Sequence, residues 1–401
     1  MKNNLSNIII TANSPGEISG WAEPLIKKIK KDHPEIKIYI VLLPCVFSSG
    51  EEKEVASRIE GIEEIFLSNK IWPLLFNKNN LFTSSDVILH LGGDMMYAAL
   101  LARKIKCKAY VYIWANLFWD KYFTGYLIRG EKDRQRLLKQ GIAQNKIFIV
   151  GDFIYDAMKS YKTSVKNKDL TITFMPGSRR DEFAMLTPML MGAAFLLRRK
   201  IKDIKFNLIV SPYLMKNKIF SKEFIMPDEK LKGLKTYIDM ENKCLKGEDG
   251  TIISLVTENH YEEMAKSHFA VCIPGTKTAQ IGALGIPMLV ILPLGRAEVV
   301  PFTGFVGMLD YLGVFGRKIK YHLIRKIAKT FGFTAQPNIL AGSYIVPEMI
   351  QDLTVDDIYL KICALLDDPL GLSKMSMELE NIYKQFNGAI DKTINLLVGE
   401  R

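Results

Sequence analysis

The feature that most constrains this chain is a regular alternation. Short runs rich in β-branched residues take turns with amphipathic stretches along nearly its whole length. Asn7–Thr11 is followed by a glycine-containing turn and a helix pattern over Trp21–Lys31. Further strand-like runs are Ile36–Leu43, Val87–Leu91, Ala109–Trp114 and Lys146–Val150, with helical stretches such as Tyr97–Lys104 and Lys132–Gln140 between them. Strands alternating with helices imply βαβ units and a parallel sheet. Around Tyr161–Asp169 the chain turns polar and Lys-rich, as a linker does. The alternation then restarts with Leu170–Met175, a helix over Phe183–Lys200, Phe206–Val210, Ile252–Val256, His268–Ile273 and Pro287–Leu292. Leu214–Gly250 is charged with little periodicity and reads as an extended insertion with a short helix. Val355–Val398 is helical in pattern, with a break at Pro369–Gly371 and a long helix from Ser373.

The expected fold class is therefore α/β: two Rossmann-like domains facing each other across a cleft. A length of 401 residues suits two domains. The expected boundaries are 1–165 for the first, 166–372 for the second, and a terminal helix 373–401 that returns to the first.

Composition narrows the function classes. Hydrophobic residues at 48% and charged residues at 24% are ordinary for a globular protein and exclude large-scale disorder. The net charge of +11 favours anionic partners, although a Lys-rich background gives the same excess. Five scattered cysteines form no CxxC and no Cys/His cluster of zinc spacing, which fits a reducing cytosol and no metal site. The N-terminal MKNNLSNIII lacks a signal-peptide pattern. The longest apolar stretch, Ile281–Leu294, is interrupted by Gly285, Pro287 and Pro293 and is too short to span a bilayer. The expected location is cytoplasmic, at most peripheral at the inner face of the membrane. Nucleic acid is not an expected partner, because no basic run has interleaved aromatics. The five histidines form no cluster, and His90, His260 and His268 read as structural.

Two strand-to-helix turns carry the chemistry. The first is Met175-Pro176-Gly177-Ser178-Arg179-Arg180-Asp181-Glu182. Its glycine permits close backbone approach, the helix start offers free N–H groups, and Arg179 adds a planar cation suited to a diphosphate. The second is Cys272-Ile273-Pro274-Gly275-Thr276-Lys277-Thr278-Ala279-Gln280. Gly275 and the hydroxyls of Thr276 and Thr278 suit an oxygen-rich ligand, and Gln280 sits about one turn in, within reach of a ribose hydroxyl. Each turn also reads as a plain capped helix start. Two in one α/β half are more telling, because strand C-terminal ends line one crevice. A third segment, Gln336–Ser343 followed by Val346–Gln351, holds Asn338 and Glu348 and is weak alone.

In this order the segments resemble the lipid-A-disaccharide synthase family. The resemblance extends to Ala12–Gly20, similar to the family's G-E-x-S-G turn, and to Val150–Asp156, similar to its turn between domains. It implies a GT-B type fold and transfer of a hexosamine-type sugar from a UDP-sugar to a lipid-linked or phosphorylated sugar acceptor, with no cofactor. It further implies that Gly177, Ser178 and Arg179 form the donor-phosphate loop, that Gly275 and Thr276 form a second donor loop, and that Asn338 and Glu348 close over the nucleotide. Glu17 and Ser19 match the acceptor-side loop. The chain departs from the family where Trp21 replaces an acidic residue, Gln280 a glutamate and Ser343 a basic residue; Asp94 lies out of register, and 214–250 is of unusual length. The donor site survives these changes, while the acceptor stays open.

For such a transfer, Arg179, Lys277 and helix N-termini would meet the charge of the departing diphosphate without a metal. A carboxylate would take the acceptor's proton, and Glu17 and Asp94 are the candidates, both following strand ends. Asp94 reads equally well as a turn residue. A UDP-sugar epimerase of the same fold, or a binding protein without catalysis, remain the alternatives. The basic amphipathic stretch 317–329 suits an anionic membrane surface, and the apolar Ile71–Phe76 with Leu81-Phe82, broken by Lys78, suits lipid or an acceptor pocket. Each also reads as an ordinary helix face and core.

Overall fold

The computed structural model describes residues 5–44, 52–77, 81–211, 214–216, 218–299, 313–330 and 332–399. The chain forms two units. One contains Met1–Ala157 together with Lys384–Arg401, and the other is Met158–Tyr383. The expected boundaries near 165 and 373 thus lie at 157 and 383.

The first unit is built on seven strands: β1 Asn7–Ala12, β2 Lys37–Leu42, β3 Ile62–Phe66, β4 Val87–His90, β5 Lys108–Tyr112, β6 Gly125–Ile128 and β7 Ile147–Ile149. All neighbours are parallel, in the order β3-β2-β1-β4-β5-β6-β7. Every residue of β1 is buried, as expected for a central strand covered on both faces. The Asp86 carboxylate pins the start of β1, accepting from the Asn7 backbone N–H at 3.1 Å and its side-chain amide at 3.0 Å. The chain winds outward from β1 to β3, then returns to lay β4 on the other side of β1. That reversal places the C-terminal ends of β1 and β4 side by side, with Thr11 opposite His90.

The last residues complete this unit. The Asp152 N–H donates to the Phe386 carbonyl at 3.0 Å. The Asp156 carboxylate accepts from the Gly388 and Ile390 N–H groups, each at 2.9 Å. Gly151 has φ +117°, and a Cβ there would lie 2.2 Å from the Phe386 oxygen, so only glycine allows this approach. Helix Ala389–Val398 then packs on helix Glu23–Asp32, where Lys28 pairs with Asp391 at 3.1 Å.

The second unit repeats the winding. Its strands are β8 Thr171–Met175, β9 Lys205–Ile209, β10 Phe224–Ile225, β11 Thr236–Asp239, β12 Cys244–Gly247, β13 Ile252–Val256, β14 Phe269–Cys272, β15 Met288–Pro293 and β16 Glu348–Gln351. The order is β10-β11-β12-β13-β9-β8-β14-β15-β16. The strands from β13 to β16 are parallel, and here the reversal falls between β8 and β14. The segment expected as an irregular insertion instead adds three antiparallel strands at the β13 edge. Strands of two to four residues carrying charge leave no periodic trace in the sequence. Part of this segment rests on helix Arg180–Lys200, where the Leu234 N–H donates to the Pro188 carbonyl at 2.9 Å.

The C-terminal helical stretch holds three helices, Val355–Leu366, Pro369–Lys384 and Ala389–Val398. Pro369 opens the second, so the first break falls where proline predicts it. The second break is at Gly388, with φ +82°. Helix Pro369–Lys384 belongs mainly to the second unit: Ser376 donates to the Gly285 carbonyl, and Tyr383 is buried against Gly282. Replacing Asp156 by Ala strands two N–H groups, the buried one of Ile390 and the half-buried one of Gly388. The variant is expected to lose about 3 kcal/mol of first-unit stability, read as an earlier first-unit transition in urea.

Candidate functional site

In the second unit, Met175 and Cys272 are register neighbours at the ends of β8 and β14, so both sequence turns leave the sheet side by side. A Cβ on Gly177 would lie 2.8 Å from Ile273 Cδ1. The structure thus brings the two motifs together where the winding reverses, the position at which open α/β sheets bind ligands.

The two turns differ in what they leave available. Gly177 has φ +108°, and a Cβ on it would meet Glu182 Oε2 at 2.2 Å. Glu182 occupies the third position of helix Arg180–Lys200 and accepts from the Arg179 N–H at 3.3 Å; its Oε1 lies 3.4 Å from Arg179 Nη1. Burial raises the Glu182 carboxyl above its ordinary range, against the pull of Arg179. This helix start therefore has its own carboxylate, as the acid three residues after Arg179 could have signalled. Exposed Ser178 and the half-exposed Arg179 guanidinium remain for a ligand.

The second turn is open. Gly275 has φ +129°, and among the described residues a Cβ there would meet nothing within 4 Å. Thr276 begins helix Thr276–Ala283 and is exposed. The Thr278 hydroxyl is spent inside the fold: it donates to the Gly275 carbonyl at 2.8 Å and accepts from the Gln336 N–H at 2.9 Å. Lys277 has no carboxylate within 4 Å among the described residues, and burial lowers its ammonium to about 8. Its Nζ lies 5.9 Å from the centre of the Tyr261 ring. Gln280 is buried, its Nε2 donates to the Tyr261 hydroxyl at 3.1 Å, and its Oε1 has no partner among the described residues. Tyr261 carries no sequence signal, because it follows β13 and only the sheet order brings it to this helix.

Asn338 and Glu348 join the same neighbourhood but turn inward. Asn338 is fully buried: it accepts from the Ile345 and Val346 N–H groups at 2.7 and 2.9 Å and donates to the Val346 carbonyl at 2.8 Å and to Glu348 at 2.6 Å. Glu348 also accepts from the Thr334 N–H at 2.9 Å and the Ala335 N–H at 3.0 Å. These side chains brace the 334–338 loop, and through Gln336 they steady the helix that carries Lys277.

In the first unit, Glu17 lies between the ends of β1 and β4. Its Oε2 accepts from the Asn13 N–H at 3.1 Å, and a Cβ on Gly92 would lie 2.1 Å from that oxygen. Gly92 thus lets the carboxyl rest on bare backbone. Burial raises Glu17 to about 7, the Asn13 and Ser14 hydrogen bonds opposing it. His90 is fully buried, its Nδ1 is 2.8 Å from the Thr11 hydroxyl, and burial lowers it to about 4, so the ring is neutral. Ser19 donates to the Pro15 carbonyl at 2.9 Å inside a wide π-type turn over Ile18–Ala22. Trp21 packs edge-on against Tyr112 at 5.2 Å. Asp94 is exposed and accepts from the Met96 N–H at 2.9 Å, capping helix Met95–Ile105. The two candidate bases separate: Glu17 is shielded and shifted, and Asp94 is a solvated cap.

On helix Gly313–Ala328 the cationic face is narrower than the sequence pattern. Lys320 and Ile324 are buried, and Arg325 forms a two-pronged pair with Asp352. Arg317, Lys318, Lys326 and Lys329 are exposed, with Phe315 and Ile319 beside them. Of the apolar segment, Ile71, Leu74 and Phe82 are core, whereas Trp72 and Phe76 stack at 5.8 Å on the surface; Lys78 lies outside the described residues. Among the described residues no helix is long and apolar enough to cross a membrane.

Comparison with known proteins agrees with the resemblance read from the motifs. A family described as lipid-A-disaccharide synthetase matches residues 145–308. A lipid-A-disaccharide synthase from Persephonella marina is 24% identical over 96% of this chain and 97% of its own length. One from Geobacter sulfurreducens is 27% identical over 51% of this chain and 41% of its own. The chain is thus similar to lipid-A-disaccharide synthases along nearly its whole length. Among solved structures, a UDP-N-acetylglucosamine 2-epimerase superposes with a TM-score of 0.58 at 15% identity, covering 100% of this chain and 98% of that one. A UDP-GlcNAc 2-epimerase from Neisseria meningitidis bound to UDP-GlcNAc gives 0.55 at 15%, covering 98% and 100%. At such identity the likeness is one of fold, a GT-B type pair of α/β units.

The raised Glu17 carboxyl carries a stability signature. Folding favours its protonated form, so its stabilising contribution is complete below about 4.5 and is lost as pH rises through about 7. Glu17→Gln is expected to flatten this part of the stability-against-pH curve and to be more stable than the parent at pH 8, as read by urea unfolding across pH 4–8.

Proposed function

We propose that this chain is a UDP-sugar-dependent glycosyltransferase that moves a hexosamine-type sugar to a lipid-linked or phosphorylated sugar acceptor. One observation carries the reading: an open glycine turn and two cations, Arg179 and Lys277, on adjoining loops where the second sheet reverses its winding. Similarity to lipid-A-disaccharide synthases supplies the reaction class.

In this reading Arg179, Lys277 and the N–H groups at Thr276 hold the diphosphate. An acceptor hydroxyl forms a new bond from its oxygen to the anomeric carbon. The bond from that carbon to the phosphate oxygen breaks, and UDP departs with the electron pair. Arg179 and Lys277 meet the charge that builds on it, the service a divalent ion gives in other transferases. Glu17 takes the hydroxyl proton, and a carboxyl near 7 is well matched to that task at neutral pH. The exposed cations of helix Gly313–Ala328, with Phe315 and Ile319, suit the anionic surface on which a lipid-linked acceptor sits.

The test is UDP release from UDP-N-acetylglucosamine with and without a phosphorylated glycolipid acceptor. Acceptor-dependent release supports transfer. Conversion of the sugar without acceptor indicates an epimerase, and UDP binding without turnover indicates a binding protein. Arg179→Ala and Lys277→Ala should each weaken UDP about tenfold, the value of one charge-assisted contact. Glu17→Gln should bind UDP as the parent does and slow transfer about a hundredfold. Parental kcat/KM should rise with pH through about 7 as Glu17 loses its proton.

A further inference from the structure

Lys277 and Gln280 stand three positions apart on helix Thr276–Ala283, so their side chains share one face. Both meet Tyr261: the ammonium lies 5.9 Å from the ring centre, and the amide donates to the hydroxyl at 3.1 Å. Tyr261 belongs to helix His260–Ala265, anchored by the His260 Nε2 on the Val210 carbonyl at 2.8 Å, and its ring packs on Tyr161 at 5.2 Å.

This cluster combines two unmet demands. The ammonium has no carboxylate within 4 Å among the described residues, and burial alone shifts it. The charged and titratable groups around it are His260, held neutral by burial and by the ammonium, with Glu258 and Glu262 acting on His260. Gln280 is 3% exposed and its Oε1 has no donor among the described residues. A buried acceptor left without a partner carries an uncompensated desolvation cost. Beside both groups lies the open turn at Gly275. A glutamate at position 280 would pair with Lys277 across one helical turn; the neutral amide leaves the cation free.

We propose that Tyr261 is a positioning residue for the ligand's diphosphate, its ring shielding Lys277 and its hydroxyl fixing Gln280 as the neutral neighbour that keeps the ammonium uncompensated. The same hydrogen bond occupies the Gln280 amide N–H and reserves its carbonyl for a hydroxyl of the bound molecule. Oε1 is closed to solvent, so a local side-chain movement precedes that contact. The inference rests on the UDP-sugar reading of this loop.

The experiment is calorimetric titration of the full chain and its variants with UDP and with sodium pyrophosphate between pH 7 and 10. In the parent, affinity for both should fall above about 8, where Lys277 loses its proton. Q280E should weaken both ligands about tenfold at pH 7 and move the fall to higher pH, because the new carboxylate pairs with Lys277. Y261A should move the fall to higher pH by admitting water to the ammonium. Y261F, which keeps the ring, should restore the parental pyrophosphate profile and weaken only UDP. If Q280E and Y261A bind pyrophosphate with parental affinity and pH profile, the proposed bracket is wrong while the donor site stands. If the parent binds neither ligand, the UDP-sugar reading itself falls.

Discussion

Each sheet begins at its middle. Right-handed crossovers carry the chain outward in one direction, and it must come back over its first strand to build the other side. The loops that follow the first strand and the first returning strand then leave toward opposite faces. Between them the ends of two parallel strands are uncovered, with helix N-termini pointing in. In this chain those positions are the β1/β4 and β8/β14 junctions. The candidate residues gather at them: Asn13, Glu17, His90 and Gly92 at the first, Gly177, Arg179, Gly275, Lys277 and Gln280 at the second.

The two junctions are electrostatic opposites made by the same force. Removing a charge from water disfavours its ionised form, so the carboxyl of Glu17 is pushed up and the ammonium of Lys277 is pulled down. Among the described residues neither has an opposite charge to offset the loss. Where such a charge does exist and both partners are shielded, it holds the fold, as Asp133 does on Arg129 at 2.9 Å.

How much of this was legible follows from burial. β1, β2, β4, β5, β8, β9, β14 and β15 are apolar runs, and their composition identifies them. β3 carries Glu63 and Glu64 at an open edge, β6 is four residues beginning with glycine, and β16 starts with Glu348; none has a period to read. The glycine turns at 177 and 275 were legible because positive φ has few occupants. What the sequence could not reveal is where a polar side chain spends its hydrogen bonds. Asn338, Glu348, Thr278, Ser19 and Asp94 all sit in the segments the motifs singled out, yet each is engaged in holding local structure. Tyr261 was invisible for the converse reason, since its partners are distant in sequence and close only through the order β13-β9-β8-β14.

The return of the C-terminal segment has a consequence for synthesis. The ribosome releases residues 1–157 first, but the Asp156 carboxylate finds Gly388 and Ile390 only after the whole middle unit has emerged. The second unit is contiguous and complete in sequence before the first is. Folding as units therefore reverses the order of translation: the part made earliest closes last. A nascent chain halted before residue 388 carries a finished second unit and a first unit whose helix Glu23–Asp32 lacks its cover. Until that helix docks, the apolar face of Glu23–Asp32 that it covers stays open to solvent.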